Sequence, residues 1–191
     1  MPAICILFLL TNLFLMKKVL LSLVIITFYT LQLSAQGQYL VYPDSAHAGQ
    51  KVYKGIISKD IILNDTSFTK WYNDNQKYYT PMPAAVDAMK LNKDSIELLV
   101  FMGTWCEDSH FIIPRLFELS EASGFSNNKI TLIGTDRYKK TLSHLSEALN
   151  VNNVPTIMVM KKGKELGRII EYGKTGMFEK DLIEIITGVK Q

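Results

Sequence analysis

One sulfur nucleophile dominates the reactive side chains of this sequence. Cys106 lies in FMGTWCEDSH, residues 101–110, after an apolar run and before a helical pattern. A cysteine at a helix start faces unpaired backbone N–H groups and the positive end of the helix dipole. Both favour the thiolate, the form that attacks disulfides. Glu107 and Asp108 follow directly. Their charge opposes a second anion nearby, so the expected activation is modest. Ser109 falls on the same helical face as Cys106. Its hydroxyl could donate to the thiolate or satisfy a backbone carbonyl, but it cannot resolve a mixed disulfide. The only other cysteine is Cys5, inside an apolar N-terminal stretch.

Other chemistries are poorly supplied. His110 sits one turn after Cys106. A cysteine–histidine hydrolase needs an orienting third group and an oxyanion site, and nothing in the sequence points to either. His110 therefore reads as a surface residue on the exposed side of its helix. His47 and His144 have no metal-ligand spacing with each other or with Cys106, so neither a metal nor a cofactor is expected. Beyond residue 35 the basic and acidic residues nearly balance, which gives no electrostatic reason for a nucleic-acid partner. Arg137, Lys139 and Lys140 read as a solvated loop, and Asp136 as a structural cap.

The elements that position Cys106 follow from the apolar pattern. Ile96–Met102 is almost continuously apolar, as expected for a strand covered on both faces. A helix is expected from about Cys106 to Glu121, with Phe111, Leu116 and Leu119 inward. Lys129–Gly134 reads as a strand, Ser143–Leu149 as a helix and Thr156–Met160 as a strand. Lys162-Gly163-Lys164 then turns into a strand at Leu166–Glu171, and Phe178–Ile186 closes as a helix. Upstream, residues 36–65 read as polar and irregular around one strand, Val52–Ile57. Helices are expected at Thr66–Asn75 and Pro83–Leu91, the second with Val86, Met89 and Leu91 facing a core. Phe68, Trp71, Tyr72, Tyr78 and Tyr79 are expected as core under this N-terminal segment, with a ligand groove as the alternative. The order β-α-β-α-β-β-α from residue 96 predicts an α/β fold. Its central sheet is mixed, with helices on both faces, because the early strands join through helices and the last pair through a hairpin.

The segment FMGTWCEDS resembles the strand-to-helix junction of thioredoxins, where a Trp-Cys-x-x-Cys motif opens a helix. Trp105 and Cys106 match that motif, and Ser109 stands where the second cysteine would be. Pro114 matches the family's helix-kinking proline, Val154-Pro155-Thr156 its Val/Ile-Pro-Thr, and Gly163 its hairpin glycine. The resemblance implies a thioredoxin fold over residues 96–191 with an N-terminal extension at 36–95. It also implies a cis peptide at Pro155 facing the thiol, with Val154 offering its backbone to an extended peptide. Val100 occupies the place of the buried acid that serves the family's dithiol. Glu97 lies on the opposite face of that strand and is not assigned this role. Gly103 replaces the Thr or Ser that peroxiredoxin chemistry needs three residues before the cysteine.

Residues 1–35 read as a secretory signal. Lys17-Lys18 precede an apolar run, Val19–Leu31, and Ser34-Ala35 precede a polar stretch. Cleavage is expected after Ala35 with Met16 as the natural start, residues 1–15 lying upstream of it. A retained anchor would place two lysines in mid-bilayer, which is costly, so no stable membrane span is expected after processing. The expected location is periplasmic or secreted, or membrane-anchored if the signal stays. The mature chain would hold one thiol in an oxidising compartment and no internal disulfide. Two functions fit. One is monothiol thiol–disulfide exchange through Cys106, supported by Ser109, Trp105, Val154 and Pro155, acting on protein thiols or disulfides or a small thiol. The other is a non-catalytic thioredoxin-fold module that binds peptide or protein.

Overall fold

The apolar run before the cysteine becomes a central strand of a six-stranded mixed sheet. The computed structural model describes residues 16–22 and 38–188. Residues 16–22 are helical and exposed, within a unit spanning 1–37. The rest of the signal-sequence reading, Cys5 included, lies outside the described residues. Among the described residues no helix is long and apolar enough to cross a membrane.

The second unit, residues 38–191, contains the sheet and its helices. Its elements are β1 (Tyr39–Pro43), β2 (Lys51–Ile57), α1 (Lys59–Asn64), α2 (Thr66–Gln76) and α3 (Pro83–Asn92). There follow β3 (Glu97–Met102), α4 (Glu107–Ser123), β4 (Ile130–Gly134), α5 (Leu145–Ala148), β5 (Thr156–Lys161), β6 (Lys164–Ile170) and α6 (Phe178–Thr187). Spatial order is β1-β2-β4-β3-β5-β6. Only β3 and β4 run parallel, with Val100 opposite Leu132, and β5 pairs antiparallel on the other side of β3, with Ile157 opposite Val100.

Strand alternation divides the core in two. Leu98, Val100 and Met102 of β3 enter a large cluster with Ile112, Leu116 and Leu119 of α4, Met89 of α3 and Leu182 of α6. Phe101 points the other way, into a smaller cluster with Ile133, Val151, Val154 and Met158. Trp105 and Cys106 pack on the edge of that smaller cluster. The α4 helix ends at Gly124, whose φ of 67° suits a residue without a Cβ, and carries Pro114 inside it. At the β5–β6 hairpin, Lys162 and Gly163 both have positive φ, as a two-residue mirror-image turn requires.

Several expectations shift. Strand β1 was not anticipated: it is a sheet edge whose Leu40, Val41 and Tyr42 stay exposed, so it lacks the alternation that marks a half-buried strand. Nor was α1, a single short helix capped by the Ser58 hydroxyl, which accepts from Ile61 N–H. The helix expected at 143–149 is broken, because Ser143 and His144 adopt left-handed φ values of 56° and 54°. Only Leu145–Ala148 is α-helical. Leu91 and Tyr78, expected in the core, are each 85% exposed. Phe111 also lies outward, under the guanidinium of Arg115, which sits 3.3 Å from its ring centroid. Phe68 and Tyr72 are buried as expected, with Trp71 and Tyr79 packed partly against them.

Candidate functional site

Cys106 is the N-cap of α4, extended in backbone (φ −103°), at the end where the helix presents its unpaired N–H groups, although its side chain makes no capping hydrogen bond. Its backbone N–H donates to the Gly103 carbonyl at 3.0 Å, closing the turn from β3 into the helix. The thiol is half-buried and, among the described residues, free. Its Sγ lies 3.2 Å from the carbonyl oxygen of Val154. The Val154–Pro155 peptide is cis, and the Pro155 carbonyl accepts from Glu171 N–H at 2.7 Å. Val154 itself is buried in the smaller core cluster. The sequence-predicted Cys106, Val154 and Pro155 are thus brought together at one end of the sheet.

Trp105 flanks the thiol. Its indole N–H donates to the Thr135 carbonyl at 2.9 Å, just beyond β4. The ring fills the space where a Cβ on Gly103 would lie, 2.6 Å from an indole carbon, so glycine is required there by packing. Ser109 is completely buried, and its Oγ accepts from the Gly103 N–H at 3.1 Å. Of the two roles expected for this hydroxyl, neither is its observed bond: it serves a backbone donor of the turn. Val100 is buried behind the site, and Glu97 is exposed at the far end of β3.

His110 corrects the expectation of an exposed histidine. It is only 5% exposed, its ring stacks on Trp71 at 4.3 Å between centroids, and its Nε2 donates to the Thr104 carbonyl at 2.8 Å. The helix periodicity places it beside Cys106, but α2, which covers it, could not be placed there from sequence. Thr104 is tied from the other side as well. Its hydroxyl donates to the Lys51 carbonyl at 2.8 Å and accepts from Tyr53 N–H at 3.2 Å. The turn that carries the thiol is therefore pinned to β2 and α2.

Two further groups contact the residues that flank Cys106. Tyr172 donates from its hydroxyl to Asp108 at 2.9 Å, and burial first, then Asp108, pushes its pKa up to about 12. Arg137 holds its guanidinium 5.2 Å from the Trp105 ring centroid. This residue corrects the picture of a wholly solvated basic loop. Arg137 donates twice to the buried Asp44 carboxylate, Nε to Oδ1 at 2.7 Å and Nη2 to Oδ2 at 2.6 Å. Those bonds hold the Asp44 carboxyl well below the usual carboxylate range. Asp136 does cap its loop, accepting from the N–H groups of Tyr138 and Lys140, and also pairs with Lys54 at 2.7 Å. Asp44, Tyr172 and Thr104 were missed in sequence. Asp44 stands 93 residues from Arg137, and no local spacing signals such a pair. Among the described residues no cluster could hold a metal ion. His47 instead faces the Asp44–Arg137 pair.

The arrangement can present a thiol to an incoming sulfur beside an apolar wall. Among known proteins the chain is similar in sequence to thioredoxins. A family model described as thioredoxin matches residues 58–178. Mitochondrial thioredoxin-2 of Schizosaccharomyces pombe is 28% identical over 81 residues, covering 42% of this chain and 56% of that protein. A thioredoxin of Coprinus comatus is 27% identical over 86 residues, covering 45% of this chain and 77% of that one. Among solved structures, a Pseudomonas aeruginosa protein of unknown function aligns at a TM-score of 0.45 and 18% identity, over 63% of this chain and 81% of its own. An HIV epitope scaffold aligns at a TM-score of 0.46 and 19% identity, over 63% of this chain and 82% of its own. With more than half of its length matched by that family model, the chain belongs to the thioredoxin family.

Proposed function

We propose that this protein is a monothiol thiol–disulfide exchange protein of the cell envelope, forming mixed disulfides through Cys106. The observation that carries the reading is one half-buried sulfur at a helix N-terminus, 3.2 Å from the carbonyl that precedes a cis-proline. The Cys106 thiolate attacks one sulfur of a partner disulfide. A bond forms between Sγ and that sulfur, the partner's S–S bond breaks, and its other sulfur leaves as a thiolate. With Ser109 in place of a second cysteine, release requires an outside thiol. That thiol, deprotonated, attacks the mixed disulfide and keeps the partner's sulfur, and Cys106 returns as thiolate. No net oxidation of the protein occurs in the cycle. Export rests on the order of Lys17-Lys18, the apolar run and Ser34-Ala35. Protein disulfides or small-thiol disulfides are the substrates such a site suits.

The test is mass spectrometry of the full chain expressed with its leader and isolated without reductant. The expected result is a mature N-terminus near residue 36 and adducts on Cys106 that Cys106→Ser abolishes. Adduct-free protein with client binding unchanged in Cys106→Ser would replace exchange by simple binding. Retention of residues 1–35 in a cytoplasmic fraction would remove the envelope assignment.

A further inference from the structure

The Asp44–Arg137 pair is built more firmly than a solvated loop requires. Asp44 has a fully buried side chain, and it takes both the Nε and Nη2 sides of the guanidinium. Nη2 also reaches His47 Nδ1 at 2.7 Å. This side-on clamp leaves Nη1 with no hydrogen-bond partner among the described residues, on a side chain that is 31% exposed. The plane rests near Trp105, the residue adjoining the thiol. The hydrogen bonds that Arg137 donates to Asp44 raise its pKa and keep the guanidinium charged. Glu107 and Asp108, in the first turn of α4, follow Cys106 directly and put negative charge near the sulfur as well.

An arginine fixed by a buried carboxylate loses little side-chain entropy when it meets a ligand, and its open N–H groups suit a carboxylate. Building on the exchange reading above, we propose that Nη1 of Arg137 is an anion-recognition point beside Cys106, selecting thiol or disulfide partners that carry a carboxylate near the sulfur. The nearby Asp136 does not cancel it, since its own carboxylate is engaged by Lys54 and by loop N–H groups. The acids at the start of α4 repel an anionic substituent, whereas Nη1 of Arg137 offers it a charged donor.

The test compares two disulfide probes on the full chain. Dithiobis(nitrobenzoate) carries a carboxylate on each ring, and dithiodipyridine is neutral. The readout is the ratio of their rate constants at Cys106. Arg137→Gln should lower that ratio about tenfold, the worth of one charge-assisted hydrogen bond. Arg137→Gln leaves Asp44 buried without its partner, so the double variant Asp44→Asn/Arg137→Gln, which removes both charges, should show the same drop with the fold kept. Arg137→Lys keeps the charge without the planar fork and should recover only part of the loss. An unchanged ratio in the double variant would overturn the subsite, and full recovery by lysine would reduce it to through-space steering and overturn it too. A wild-type Cys106 inert to both probes would instead defeat the exchange reading itself.

Discussion

Ser109 is the residue that separates this site from one able to close its own disulfide. It is buried, three positions after Cys106, and its Oγ accepts from the Gly103 N–H at 3.1 Å. Replacing it with cysteine exchanges a good acceptor for a weak one. The reduced Ser109→Cys protein should therefore lose about 1 kcal/mol of stability, the usual net worth of such a bond. Oxidation should join the new sulfur to Cys106 and confer reductase activity toward insulin, because two cysteines at this spacing can meet the narrow disulfide geometry. Alkylation mapping of the oxidised variant checks it: two thiols that remain freely alkylated would mean that the helix start holds positions 106 and 109 too far apart. His110 lies next to Cys106 on the helix, yet its ring is spent on Trp71 and the Thr104 carbonyl.

At the scale of elements, α2 does more than cover the sheet. Asp65 caps it, accepting from Ser67 N–H at 3.0 Å, and also receives Lys51 and the Tyr53 hydroxyl, each at 2.8 Å. Phe68 is 1% exposed and meets Tyr53 edge-on at 5.4 Å between ring centroids. Phe68→Ala should cost about 3–5 kcal/mol, the range for emptying a buried aromatic site. Denaturant unfolding would register this as a lower midpoint with an unchanged slope, and a loss under 1 kcal/mol would show the cavity collapsing freely. Elements of this kind were legible in sequence where burial imposes a period. β3 reads as a strand because both its faces are covered, and α4 because its inner face repeats at helical spacing. β1 was illegible because its side chains face solvent on both sides, and the helix before Val151 because two residues in left-handed conformation interrupt it. The thiol and the proline opposite it could be read from motif spacing. Asp44, Thr104 and Tyr172 could not, because each reaches the site through tertiary contacts with no local signature.

The whole molecule should be stable over a bounded pH range. Arg137 holds Asp44 well below the usual carboxylate range. Burial raises the Asp65 pKa, but hydrogen bonds from Lys51, Ser67 and Tyr53 outweigh it and leave that carboxyl low as well. Each therefore contributes stability that is present above the unfolded carboxylate pKa of about 4, and it is lost as pH falls through the folded values. Burial, followed by their acidic partners, raises Tyr53 and Tyr172 to about 12. Folding favours their neutral forms, so that contribution is present below the unfolded tyrosine pKa of about 10 and fades as pH climbs past it. Thermal midpoints measured against pH should form a plateau with an acid and an alkaline limb. Asp44→Asn/Arg137→Gln should make the acid limb shallower, and an identical limb would show that the pair contributes nothing to acid sensitivity.

The clamp on Thr104 bears on how little of this chain could be cut away. Its hydroxyl is anchored at Lys51 and Tyr53, and Arg137 at Asp44, all upstream of residue 58, where the family match begins. A fragment trimmed to the matched span would keep its sulfur and its bent proline. It would lose the strand that holds the preceding turn and the carboxylate that aims the neighbouring guanidinium. The matched span thus begins inside the set of contacts that hold the site, which reach back to residue 44.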